Sequence, residues 1–144
     1  MNLARVAITE AGSHSAISHS AMNDLRSLAQ QADARGNQYI SVACSVLLAE
    51  AMITDKDYSH ARQELLRALA RSEKLGLRLE NARIHYLLGT SLRLSGSARE
   101  ATAQYREARN LLDEIRKEQG AEHIIERYDL KPIYAEASQF APQG

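Results

Sequence analysis

The chain has 144 residues, of which 44% are hydrophobic and 25% charged, the size and mix of one domain with a core that needs no staples. Its 18 basic and 18 acidic residues cancel, which excludes a strong field drawing it to nucleic acid or to an anionic membrane. A single cysteine, Cys44, excludes an internal disulfide and suits a reducing compartment. Met1-Asn2-Leu3-Ala4-Arg5 lacks the basic-then-apolar pattern of a leader, and no run approaches the roughly 18 apolar residues of a membrane span. The expectation is a cytoplasmic domain.

Taken in order, the breakers Gly12-Ser13, Arg35-Gly36-Asn37, Thr54-Asp55-Lys56, Lys74-Leu75-Gly76, Ser95-Gly96-Ser97 and Gln119-Gly120 divide a text rich in Ala, Leu, Arg, Glu and Gln. Sustained strand-type alternation is missing, so the pieces between breakers read as helices of about 15 to 20 residues joined by short loops. Such loops make neighbouring helices antiparallel. Asp57 stands where an N-cap belongs, and Ser97-Ala98-Arg99-Glu100 reads as a capping box. After Ile124 to Tyr128 the tail breaks at Asp129 and resumes with Pro132 in a first helical turn, where its missing N–H does little harm.

A period of forty residues runs through this text. Gly36 pairs with Gly76, and Leu47-Leu48 with Leu87-Leu88. Ala21, Ala61 and Ala101 share a phase, as do Leu25, Leu65 and Tyr105, and Leu28, Ala68 and Ala108. A fixed period of this length indicates stacked units, none able to bury its apolar face alone. Gly89 sits in mid-helix at a cost of about 1 kcal/mol relative to alanine. Close approach of Tyr105 would explain it, with Ala49 serving Leu65 in the same way.

His85, Leu88, Gly89 and Leu92 on one helix, followed by Ala101, Tyr105 and Ala108 on the next, resemble the tetratricopeptide repeat, in a long-period form found in bacterial signalling proteins. Ser45, Leu48, Ala49, Met52, Ala61, Leu65 and Ala68 form a weaker upstream copy, and Ala21, Leu25 and Leu28 a first one, with Leu3 to Gly12 as its first helix. The resemblance implies an all-α superhelix of stacked antiparallel hairpins over residues 1–144. Its repeats would span about 2–36, 37–76 and 77–120, and a C-terminal capping helix pair 121–141. The tail resembles the end of repeat arrays attached to bacterial serine/threonine kinases, cyclases or transcription regulators. A beginning that falls abruptly inside a repeat leads to the expectation of a fragment of a longer protein.

The residues do not assemble an enzyme. The Asp-Phe-Gly and glycine-rich loop of a kinase are missing, as is a Gly-x-x-x-x-Gly-Lys phosphate cradle. Neither a metal nor a cofactor is expected. Asp57-x-x-His60 is better explained by capping, His14 and His19 fall on different helix faces, His85 fills a position of bulk, and His123 lacks a ligand partner at metal spacing. Cys44, without a basic neighbour, reads as a buried small hydrophobe.

What remains is a surface. The repeat family's concave wall, carried across position by position, falls on Ala43, Val46, Glu50 and Ile53 of one helix and on Arg83, Tyr86, Thr90 and Arg93 of another. Val6 and Glu10 extend it into the first hairpin. Arg83, Tyr86 and Arg93 are of the types enriched at binding hot spots, while Val46 and Ile53 offer apolar contact. The Lys/Asn arrangement that the family's chaperone-tail binders use is not reproduced, since Ala43 and Val46 occupy the matching places. The implied function is a protein–protein interaction scaffold that takes a peptide or protein partner in a groove. The alternatives are a homodimerising assembly module and a helical-bundle metalloprotein.

Overall fold

Local turn chemistry recurs every twenty residues and sets the architecture. In the computed structural model, which describes residues 18–118 and 130–141, left-handed backbone occurs at Gly36, Lys56, Gly76 and Gly96, with φ of 74°, 64°, 69° and 94°. At three of these turns the same pair of bonds closes the preceding helix. Gly36 and Asn37 donate to the carbonyls of Asp33 and Ala32, Lys56 and Asp57 to Ile53 and Met52, and Gly96 and Ser97 to Arg93 and Leu92. This pattern satisfies the orphan carbonyls of a helix C-terminus.

The described residues hold six helices: α1 (Ser18–Ala34), α2 (Gln38–Thr54), α3 (Tyr58–Leu75), α4 (Arg78–Leu94), α5 (Ala98–Arg116) and α6 (Lys131–Phe140). No strand occurs among them, and no helix is long and apolar enough to cross a membrane. The fold is all-α. Leu3 to Gly12, with Val6 and Glu10, lies outside the described residues, as do His14, His123 and the tail segment from Ile124 to Asp129.

Caps agree with the sequence at one site and depart from it at another. Asp57 Oδ1 accepts from the His60 N–H at 3.4 Å, and its carboxylate also meets His60 Nδ1 at 2.9 Å. Asn37 Oδ1 accepts from Ile40 N–H at 3.2 Å. Ser97 makes no side-chain cap bond, so the expected capping box does not form. Ser97 (φ −100°, ψ 66°) and Asn37 (φ −90°, ψ 81°) have similar backbones, yet only the asparagine side chain makes the cap bond.

The chain divides into two compact units, Met1–Ser72 and Glu73–Gly144, with the division in the last turn of α3. In the first unit, Met22 and Leu25 of α1 pack with Cys44, Leu47, Leu48, Ala51 and Met52 of α2, and Ala61 joins from α3. Every residue from Ser41 to Ala49 is buried, because α2 is apolar or small nearly all round. Cys44 is a fully enclosed core residue whose thiol is pushed up by burial. Leu28, at the phase of buried Ala68 and Ala108, is 42% exposed.

In the second unit α6 lies on α5 and reaches α4. Tyr105 is the largest fully enclosed side chain of the described residues. It packs with Ala101 and Ala108 of α5, Ala137 of α6 and Ala141, flanked by Tyr86, Leu92 and Phe140. Burial of such a side chain contributes roughly 2–3 kcal/mol. Gly89 lies against its ring: a Cβ added there would stand 3.0 Å from Tyr105 Cδ1 and Cε1. A second cluster of Ala82, Leu112 and Leu130, with Ile133 and Tyr134 beside it, seats the start of α6, and Pro132 occupies the first turn as its chemistry requires.

Candidate functional site

Helical spacing places Arg83, Tyr86, Thr90 and Arg93 on one face of α4, and the last three converge on Tyr105 of α5 and on α6. Arg93 Nε donates to the Tyr105 hydroxyl oxygen at 3.1 Å, and Thr90 Oγ1 lies 3.0 Å from the same oxygen. A buried phenol needs such partners, since an unsatisfied hydroxyl costs about 1–3 kcal/mol. From α6, Glu136 enters this cluster. Its Oε2 accepts from the Tyr86 hydroxyl at 2.8 Å and its Oε1 from Arg93 Nη2 at 3.1 Å.

Phe140, one turn after Glu136 on α6, completes the arrangement. Its ring stacks with Tyr105 at 5.4 Å between centroids, and the Arg93 guanidinium lies over it at 4.4 Å. Tyr86 tilts against Tyr105 at 5.9 Å. Burial first, and the bond to Glu136 second, push the Tyr86 phenol well above its ordinary value. The Tyr105 hydroxyl, and after it Glu136, hold Arg93 in its charged form. One carboxylate shared by two donors and one aromatic held between a ring and a guanidinium thus fix α6 in register.

Both ends of α6 are also tied. Tyr134 donates to Asp113 Oδ1 at 2.9 Å, and Arg116 Nη2 reaches the same oxygen at 3.0 Å while its guanidinium lies 5.7 Å from the Tyr134 ring. At the other end Arg109, itself buried, donates through Nη1 to the carbonyl of Ala141. A cation at the C-terminus of a helix meets the negative end of its dipole.

The other wall residues lie elsewhere. Arg83 is half-buried one turn before Tyr86. In the first unit Ala43 and Val46 are buried, at 7% and 1% exposure, while Glu50 and Ile53 are half-buried and Ile53 flanks the α1–α2 core. His85 packs half-buried, its Nδ1 2.8 Å from Gln104 Oε1. Among the described residues no three His, Cys, Asp or Glu side chains gather where a metal could be held.

Sequence reasoning missed Glu136, Phe140 and Arg109. The signal available was the four-residue step from Glu136 to Phe140, which puts an acid and an aromatic on one face of the tail helix. Compared with known proteins, the chain matches no family model, no curated protein and no solved structure.

Proposed function

We propose that the chain is a non-catalytic protein–protein interaction scaffold, a superhelical array of tetratricopeptide type within a larger cytoplasmic bacterial signalling protein. Its partner is a peptide or protein that presents a helix. Neither nucleic acid nor membrane is part of the reading. One observation carries it: the α4–α5 face holds α6 through Glu136 and Phe140, using Tyr86, Arg93 and Tyr105. Tyrosine and arginine dominate binding energy at interfaces, and a helix laid in a groove by anchors one turn apart is a recurring recognition mode. The face is therefore built to read a carboxylate and an aromatic four residues apart, and α6 is its resident occupant.

The test supplies that occupant in trans. A labelled peptide with the sequence of residues 130–141 is titrated by fluorescence anisotropy into the full chain and into its Phe140→Ala variant. The variant, whose own helix has lost its aromatic anchor, should bind the peptide at least about tenfold more tightly than the parent. A peptide carrying Glu136→Gln and Phe140→Ala should not bind. A variant that keeps its helical circular dichroism yet ignores the native peptide would refute the reading.

A further inference from the structure

A separate feature lies in the first unit, where α1, α2 and α3 enclose a cleft of about 310 Å³ that uses no residue of the α4–α6 face. One face of each helix lines it. Arg26 and Asp33 come from α1, Ser41 and Ser45 from α2, and Glu64, Arg67 and Arg71 from α3. These spacings of three, four and seven residues keep each set on a single helical stripe. We propose that this cleft is a binding site for a small organic carboxylate.

The floor is polar although enclosed. Ser41 is fully buried and Ser45 is 7% exposed, and Ser41 Oγ accepts from Arg71 Nη1 at 2.6 Å. The same nitrogen lies 3.4 Å from Asp33 Oδ1 on the opposite wall. Arg67 Nη2 pairs with Glu64 Oε2 at 2.5 Å, and Arg26 Nη1 donates to Asn23 Oδ1 at 3.3 Å. Each guanidinium carries five N–H donors in a planar fork. These contacts engage one nitrogen of each arginine and leave the rest of each fork without a protein acceptor among the described residues. Ser41 and Asp33 together orient Arg71 before any ligand arrives, which lowers the ordering cost of binding.

Charge and size select the ligand. Three guanidinium groups against two carboxylates leave the lining one positive charge in excess (3 − 2 = +1). One carboxylate neutralises that excess and matches the bidentate geometry of an arginine fork. A phosphate dianion would overshoot it beside Asp33 and Glu64. The cleft holds about ten water volumes, room for a short acid whose apolar body lies along Leu48 and Ala29.

The experiment titrates the ¹⁵N-labelled full chain with hexanoate, with hexanol as the uncharged counterpart and with inorganic phosphate. Hexanoate should give saturable amide shifts at Ser41, Ser45 and Leu48 with a dissociation constant in the millimolar range, as expected for a ligand of about eight heavy atoms. Arg71→Gln and Arg26→Gln should each weaken binding about fivefold or more. Arg26 makes no contact with α2 or α3 in the hydrogen-bond network above, so its replacement tests the site without loosening the unit. Absence of saturable shifts, equal affinity in Arg26→Gln, equal response to hexanol, or tighter binding of phosphate would each overturn the proposal. None of these outcomes bears on the α4–α6 face.

Discussion

Leu65 and Tyr105 stand at the same phase of the forty-residue period, as do Ala49 and Gly89, yet the two units use these positions differently. In the first unit both are apolar and fully enclosed, and α2 behind them is buried from Ser41 to Ala49. In the second, a phenol replaces the isobutyl group and must have its hydroxyl satisfied, which Thr90 and Arg93 do from α4. That requirement makes the α4 face polar, and a polar face with a ring at its centre can hold a helix carrying an acid and an aromatic. Interchanging one large residue and one small one thus separates a plain apolar core from a polar face that seats α6.

The largest test truncates both anchors. Tyr105→Ala should cost about 3–5 kcal/mol in urea unfolding followed by circular dichroism, and Leu65→Ala about 2–5. The tyrosine should cost more, because its loss also strips Thr90 and Arg93 of a hydrogen-bond partner. If Leu65→Ala proves the costlier, the second unit is not organised around its ring.

Exchanging the small residues sharpens the contrast. Gly89→Ala gains about 1 kcal/mol of helix propensity. It also drives a methyl against a ring that Phe140, Tyr86 and two hydrogen bonds hold in place, an overpacking that costs about 1–3 kcal/mol. Net destabilisation of about 1 kcal/mol is expected, whereas Ala49→Gly should lose about 1 kcal/mol through propensity and about 0.8 kcal/mol more through its buried methyl. A stabilised Gly89→Ala protein would mean that Tyr105 can move.

Alkaline pH acts on the second unit through Tyr86. Its phenol is raised in the fold, so the unfolded chain, with a tyrosine pKa of about 10, releases the proton first. The unfolded state then binds fewer protons than the native one, and stability falls as pH rises above about 10. Tyr86→Phe should flatten that decline in a denaturation series from neutral to alkaline pH. An unchanged slope would place the titrating group elsewhere.

A smaller effect is expected at the turn after α2. Lys56 holds the left-handed conformation that glycine holds in the three comparable turns. A side chain there costs about 1 kcal/mol, part of which glycine returns through its freer unfolded state. Lys56→Gly should raise stability by about 0.5 kcal/mol, visible as a higher Tm, and a lower Tm would mean that the lysine side chain has a structural role. The last expectation involves no stability change. Cys44, enclosed and with its thiol pushed up, should label with a thiol reagent only as fast as the first unit opens, and labelling at the rate of a free thiol would place it at the surface.

Local chemistry was the part most open to reading. Turns at Gly36, Lys56, Gly76 and Gly96 show as breakers because a left-handed residue or a cap acts within five residues of itself. Gly89 betrayed Tyr105 because a glycine in mid-helix is costly without a close neighbour. Ser97 misled because its residue type suits a cap, yet in the fold its side chain makes no cap bond. The candidate face was half legible: Tyr86, Thr90 and Arg93 fall on one stripe, but Glu136, the acceptor that Tyr86 and Arg93 share, is 43 residues beyond Arg93.

The amino-acid order by itself determined an all-helical chain, its turn positions and the pairing of Gly89 with Tyr105, since helix propensity, capping and small-against-large packing are written within one hairpin. Only the tertiary structure decided that Glu136 and Phe140 occupy the α4–α5 face and that Arg71 bridges to Ser41 and Asp33. Both arrangements join side chains thirty or more residues apart. No periodicity along the chain specifies such meetings; they are set by which buried surfaces pack together and by the partners that enclosed polar groups must find.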